Sequence, residues 1–160
     1  LKYIKSVFKI KEIKKERGLR NVKVKLIEII RAIEGSDINT DYYYNSKNNK
    51  VFFSGTYGNS FDLNNELNED ELDALYSESI PLPSHFDINE YQIMKDFIET
   101  IDDLLLYKQL LIAINGQGAF RRFKDTCINF NIIDKWYEFQ NKRYEEIALK
   151  WCQNNKIEYE

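Results

Sequence analysis

Gly116-Gln117-Gly118-Ala119-Phe120-Arg121-Arg122-Phe123-Lys124-Asp125-Thr126-Cys127-Ile128-Asn129-Phe130 is the stretch on which the reading of the fold turns. Phe120, Phe123, Cys127 and Phe130 recur at i, i+3, i+7 and i+10, which lines apolar side chains along one face of a helix and predicts all four inward. Gly118 opens that helix. Gly116 closes the one before it, because glycine enters the left-handed conformation of a helix end without a Cβ clash. Upstream, Thr100 to Asp103 reads as a helix start, and Tyr107, Leu110, Leu111 and Ile114 form the stripe that runs into Gly116. Downstream, a last helix is expected from about Ile132 to Asn154 behind an Asn131 cap. It turns Ile133, Trp136, Tyr137, Tyr144, Ile147, Ala148 and Trp151 inward. The C-terminal half therefore predicts a helical bundle.

Before the bundle, Pro81-Leu82-Pro83 must be extended, since each proline biases its predecessor away from helix. Asp87 with Glu90 has capping-box spacing, ahead of a helix with Tyr91, Met94, Ile98 and Ile101 on one face. Asn68 with Glu71 repeats that spacing before Leu72, Leu75 and Tyr76, which predicts a short acidic helix. Thr40 to Tyr44 and Lys50 to Phe53 are rich in aromatic and β-branched residues and flank Asn45-Ser46-Lys47-Asn48-Asn49, the pattern of a β-hairpin. Tyr57 to Leu63 reads as a further strand or an irregular segment. From Val24 onward, Leu26, Ile29, Ile30 and Ile33 follow helical spacing, and Gly35 stops the helix. The sum is an α+β chain with one N-terminal β-hairpin and a mainly helical C-terminal bundle.

Composition sets the outer bounds. The 160 residues are 43% apolar, 31% charged and 14% aromatic, too apolar for a disordered chain and enough to bury one hydrophobic core. No stretch approaches the roughly 20 consecutive apolar residues of a membrane span. Lys2, Lys5, Lys9 and Lys11 interrupt the N-terminus, with no apolar region of the kind a signal peptide carries. A cytoplasmic protein without membrane partners is expected. Cys127 and Cys152 read as buried free thiols, and two Cys with one His cannot complete a structural zinc site without carboxylates. The net charge of -3 conceals opposite blocks. Residues 1–25 hold ten Lys/Arg against Glu12 and Glu16, whereas Asp62 to Asp103 holds thirteen acidic residues against Lys95. Such blocks serve as solvated faces, as complementary surfaces or as nucleic-acid contacts.

A family resemblance rests on Ile80-Pro81-Leu82-Pro83-Ser84, Phe86-Asp87-Ile88-Asn89-Glu90-Tyr91, Ile93-Met94, Phe97, Gly116, Gly118 through Asp125, Trp136-Tyr137, Phe139, Ile147-Ala148 and Trp151-Cys152. In these residues the chain resembles the uncharacterised bacterial protein family UPF 0158. The resemblance covers about Val22 to the C-terminus. It implies a single α+β domain over residues 22–160 and a peripheral, basic N-terminal extension over residues 1–21. Lys15-Glu16-Arg17-Gly18 can be encoded by a purine-rich ribosome-binding sequence, so the extension is expected to be upstream sequence read as protein. The resemblance implies no activity.

For chemistry, the candidate anion- or partner-binding residues are Gly116, Gly118, Arg121, Arg122 and Lys124. Free N–H groups at a helix N-terminus beside guanidinium groups suit a phosphate or a partner's carboxylate. The same residues also fit a structural arrangement, with two turn glycines, Phe120 and Phe123 in the core, and Arg121 or Arg122 paired with Asp125 or with the acidic stretch before it. No catalytic residue, metal ligand set or cofactor motif is assigned. The Gly-x-Gly follows a helix and not a strand, so the dinucleotide-binding context is absent. His85 would need Cys127 or Cys152 to build a nucleophilic site, and both thiols look buried. Glu69-Asp70-Glu71 and Asp102-Asp103 lack Ca²⁺-loop spacing. The hairpin aromatics alternate between core and surface, which leaves few for stacking on bases. The reading is a non-enzymatic binding or regulatory module for a protein or phosphate-bearing partner. A nucleic-acid-binding protein is the alternative, opposed by the sequence pI of 5.4.

Truncation to Val22 is expected to leave a folded protein, because no regular apolar stripe precedes Gly18. A truncated chain that purifies only as aggregate would contradict the boundary.

Overall fold

Val24 is where the two ends of the described chain meet. It lies beside Tyr159 in a parallel bridge, with its N–H on Glu158 O at 3.3 Å and its carbonyl accepting from Glu160 N–H at 3.0 Å. A computed structural model describes residues 23–55, 58–59 and 69–160. The basic extension and the Asn68 cap lie outside the described residues. Helix α1 (Leu26–Gly35) follows and buries Ile29, Ala32 and Ile33. Gly35 ends it and leaves room for the Tyr42 ring: a Cβ there would meet Tyr42 Oη at 2.6 Å, so any other residue would push that side chain aside.

The hairpin pairs β1 (Thr40–Asn45) with β2 (Lys50–Gly55), with Tyr42 opposite Phe53 and Tyr43 opposite Phe52. Its turn is built as the asparagines predict. Asn45 Oδ1 accepts from Lys47 N–H at 2.9 Å, and Asn49 takes the left-handed conformation with φ 56°. The structure extends this hairpin on both sides. The two-residue β3 (Gly58–Asn59) joins β2, and β4 (Ser79–Pro81) joins β1, giving a four-stranded antiparallel sheet in the order β3-β2-β1-β4. The proline stretch thus enters the sheet at its edge, where a residue without N–H is tolerated. Helix α2 (Glu69–Ser77) precedes β4.

The capping box sits three residues earlier than the Asp87/Glu90 spacing implied. Ser84 caps the four-residue α3 (His85–Ile88): its hydroxyl accepts from Asp87 N–H at 3.3 Å, and Asp87 accepts from Ser84 N–H at 2.9 Å. Asn89 then turns left-handed at φ 49° and caps α4 (Glu90–Ile98) through Gln92 N–H. That break rotates α4 relative to the expected stripe. Ile93, Met94, Phe97 and Ile98 are buried, and Tyr91 faces solvent.

Three helices complete the chain: α5 (Leu104–Ala113) with Asp103 as N-cap, α6 (Ala119–Asn129) and α7 (Ile133–Asn155). Asn131 makes the α6–α7 turn in the left-handed conformation, φ 55°, but no side chain caps α7, whose N-cap position is Ile132. Phe123 and Trp136 are fully buried, with ring centroids 4.8 Å apart in an edge-to-face contact, and Phe97 packs on Trp136 at 5.4 Å. Trp151 is buried as expected, and Cys127 and Cys152 are buried free thiols. Phe120, Phe130 and Tyr137, expected inward, are exposed. Helix α6 seats itself through Phe123 and Cys127, and the two phenylalanines lie beyond either end of that contact. On α7 the ridge Trp136-Gln140-Tyr144-Ala148 takes the buried seat and turns Tyr137 away. Among the described residues no helix is long and apolar enough to cross a membrane.

Phe123→Ala should destabilise the protein by about 3–5 kcal/mol, the usual result of emptying a buried aromatic site. Denaturant unfolding measures it, and a loss below about 1 kcal/mol would contradict this packing.

Candidate functional site

Gly116 and Gly118 both have φ 77°, so the α5–α6 turn requires two left-handed residues in close succession. Around that turn the two arginines separate. Arg122 folds back over the end of α5: Nε donates to Ala113 O at 3.2 Å, Nη2 to Asn115 O at 2.5 Å and to Gly116 O at 3.4 Å, and Nη1 to Gln117 O. A guanidinium is the right group there, because it satisfies carbonyls left over at a helix C-terminus and opposes the negative end of the helix dipole. Arg122 stands at the N-terminus of α6 but serves α5. A Cβ on Gly118 would lie 3.2 Å from Arg122 Nη1, so the glycine also leaves room for the clamp. Of the expected recognition residues, Arg122 is therefore engaged by the fold.

Arg121 points outward. Its side chain is 90% exposed and reaches Asp125 at 3.9 Å, a contact of little energetic weight. Lys124 is held differently, with its ammonium 5.4 Å from the Phe120 ring centroid and 5.2 Å from that of Tyr137. One turn along the neighbouring helix, Lys95 lies over Tyr91 at 5.1 Å.

Between these two lysine–aromatic pairs, α3, α4 and α6 enclose an open cleft of 490 Å³, lined by His85, Phe86, Tyr91, Met94, Ala119 and Phe120. Phe86 is 77% exposed, and Phe120 and Tyr137 are 39% and 40% exposed. Glu90 also lines the cleft. Its carboxylate is held from behind by Tyr144 Oη at 2.6 Å, with Gln140 Nε2 donating to Tyr144 Oη at 2.8 Å. Burial, and then Glu90, push the Tyr144 phenol well above its ordinary range, so it remains a proton donor.

Sequence reasoning placed Gly116, Gly118, Arg121, Arg122 and Lys124 on one continuous piece of chain and missed Phe86, Tyr91, Tyr137 and Lys95. A signal was present. Tyr91/Lys95 and Phe120/Lys124 are both aromatic–cation pairs at i, i+4, the spacing that stacks neighbours on a helix surface. Two thiols and one histidine offer little for catalysis. Burial pushes Cys127 up to about 12 and raises Cys152, so neither is a thiolate near neutral pH. His85 lies edge-on to Phe86 at 5.7 Å. Among the described residues no three His, Cys, Asp or Glu side chains gather as a metal set would.

The elements define a mainly helical α+β protein whose helix-terminal turn borders an aromatic cleft. The family described as "Uncharacterised protein family (UPF0158)" matches residues 19–160, and the chain belongs to it. The UPF0158 protein PA5073 of Pseudomonas aeruginosa is 30% identical over 67 residues, which are 41% of this chain and 44% of that protein. The match thus spans less than half of that relative. No solved structure gives a significant match.

Arg122→Ala should cost about 1–2 kcal/mol of stability, since it uncaps α5 and the turn at once. Arg121→Ala should stay within about 0.5 kcal/mol. Equal losses in denaturant unfolding would contradict the division of labour.

Proposed function

We propose that this protein is a non-enzymatic binding module that recognises an anionic partner, a protein or a phosphate-bearing ligand. The partner-facing groups are Arg121 and Lys124 with the open first turn of α6, in the setting that Gly116, Gly118 and Arg122 hold in shape. One observation carries the reading: exposed aromatic rings line one cleft beside that helix start, and lysine ammonium groups stand over two of them, Tyr91 and Phe120. Exposed apolar groups gathered in one place mark interaction surfaces, whereas singly scattered ones do not. Nucleic acid is the second reading, favoured by the same interleaving of rings and cations and opposed by the acidic composition.

The test is a titration of the isotope-labelled protein with tripolyphosphate and with an oligoglutamate, following backbone amide shifts. The amides of Ala119, Phe120, Arg121 and Lys124 should move together and saturate. The Arg121→Ala/Lys124→Ala double variant should lose the response while keeping its unfolding free energy within about 1 kcal/mol. Shifts elsewhere only, or an unchanged response in the double variant, would contradict the proposal.

A further inference from the structure

We infer that the cleft between α3–α4 and α6 takes a segment of a partner protein in which an aromatic or branched aliphatic side chain is flanked by carboxylates. This rests on the binding reading above and adds the class of partner. The lining supplies the apolar half. Phe86, Tyr91, Met94, Ala119 and Phe120 face a space of 490 Å³ open to solvent. Protruding aromatic side chains are the usual anchors of protein interfaces, and methionine adapts to the shape of an inserted group. Phe86 is also preorganised. The Ser84/Asp87 capping box fixes the start of α3 and left-handed Asn89 fixes its end, so little backbone freedom remains to be lost on docking.

Charge selects the flanks. Lys95 and Lys124 stand over the faces of two lining rings, Tyr91 and Phe120, and Arg121, on the first turn of α6, is exposed with Asp125 at 3.9 Å. The carboxylate in the lining, Glu90, already accepts from Tyr144. These three cations outnumber the two carboxylates beside them, Glu90 in the lining and Asp125 next to Arg121, on a chain whose net charge is -3, and the excess complements acidic side chains. The acidic composition of the chain disfavours a single-stranded nucleic acid. A carboxylate-flanked side chain meets ring edge and ammonium together.

Five probes decide the matter: a short peptide with Phe and Leu flanked by Glu, its Glu→Gln and Glu→Lys counterparts, an oligothymidylate and tripolyphosphate. Amide shifts of Phe86, Tyr91, Phe120 and Lys124 report occupancy, and sedimentation reports self-association. The Glu-flanked peptide should bind, at least about tenfold more tightly than either counterpart, and Phe86→Ala or Phe120→Ala should weaken it to a similar extent. Both rings are exposed, so unchanged circular dichroism verifies that the variants fold. If the oligothymidylate or tripolyphosphate saturates these amides more tightly than the peptide, the partner class is wrong while the binding surface stands. A dimer that Phe86→Ala dissociates assigns the cleft to a second copy and likewise overturns the class. If no probe moves these amides, both the inference and the function it rests on fall.

Discussion

The edge-to-face contact between Phe123 and Trp136 is the constraint on which the rest of the molecule depends. It joins α6 to α7 where both rings are fully buried, and Phe97 adds α4 to the same cluster at 6.0 Å from Phe123 and 5.4 Å from Trp136. Three helices thus share one aromatic junction, and their relative rotation is fixed by the rings' preference for tilted packing. The rotation decides what is left outside. With Phe123 and Cys127 as the seat of α6, Phe120 and Lys124 must emerge beside the start of α4, next to Phe86 and Tyr91. The cleft is a by-product of how the core closes.

Helix α7 carries that junction to the sheet. At its far end Trp151 Nε1 donates to Pro81 O at 2.9 Å, and its ring meets Tyr44 edge-on. Midway, buried Gln140 and Tyr144 hold the half-buried Glu90 of α4, a polar network whose members satisfy one another. The Arg143 to Asp96 ion pair at 3.0 Å continues this seam at the surface. Trp136 Nε1 is buried without a hydrogen-bond partner, a cost of about 1–3 kcal/mol accepted beside its ring contacts.

The elements were legible in the sequence because each left a local mark. Helical spacing from Tyr107 to Ile114, the asparagine turn of the hairpin and the glycines of the α5–α6 junction each announced their element. The two added strands were not marked so plainly, because β4 has three residues and β3 two. Facing was harder than element type. Phe120, Phe130 and Tyr137 sit on stripes that fit the core, and only the choice of Phe123, Cys127 and Trp136 as the contact ridge puts them outside. Arg121 and Lys124, two of the proposed recognition residues, lie at the surface near the start of α6. Arg122 could not be told apart from them, since its partners are carbonyls of a turn whose shape only the fold defines. The other aromatic rings of the cleft, those of His85, Phe86 and Tyr91, come from α3 and α4 and meet Phe120 only in three dimensions.

Amide hydrogen exchange tests the central claim, that one aromatic junction locks α4, α6 and α7 and so sets the geometry of the cleft. Buried amides of the three helices, from Phe97 to Cys127 and Tyr144, should exchange with a single free energy equal to that of global unfolding. If α6 instead exchanges in a separate unit well below the global value, the junction does not hold it, and the cleft has no fixed wall.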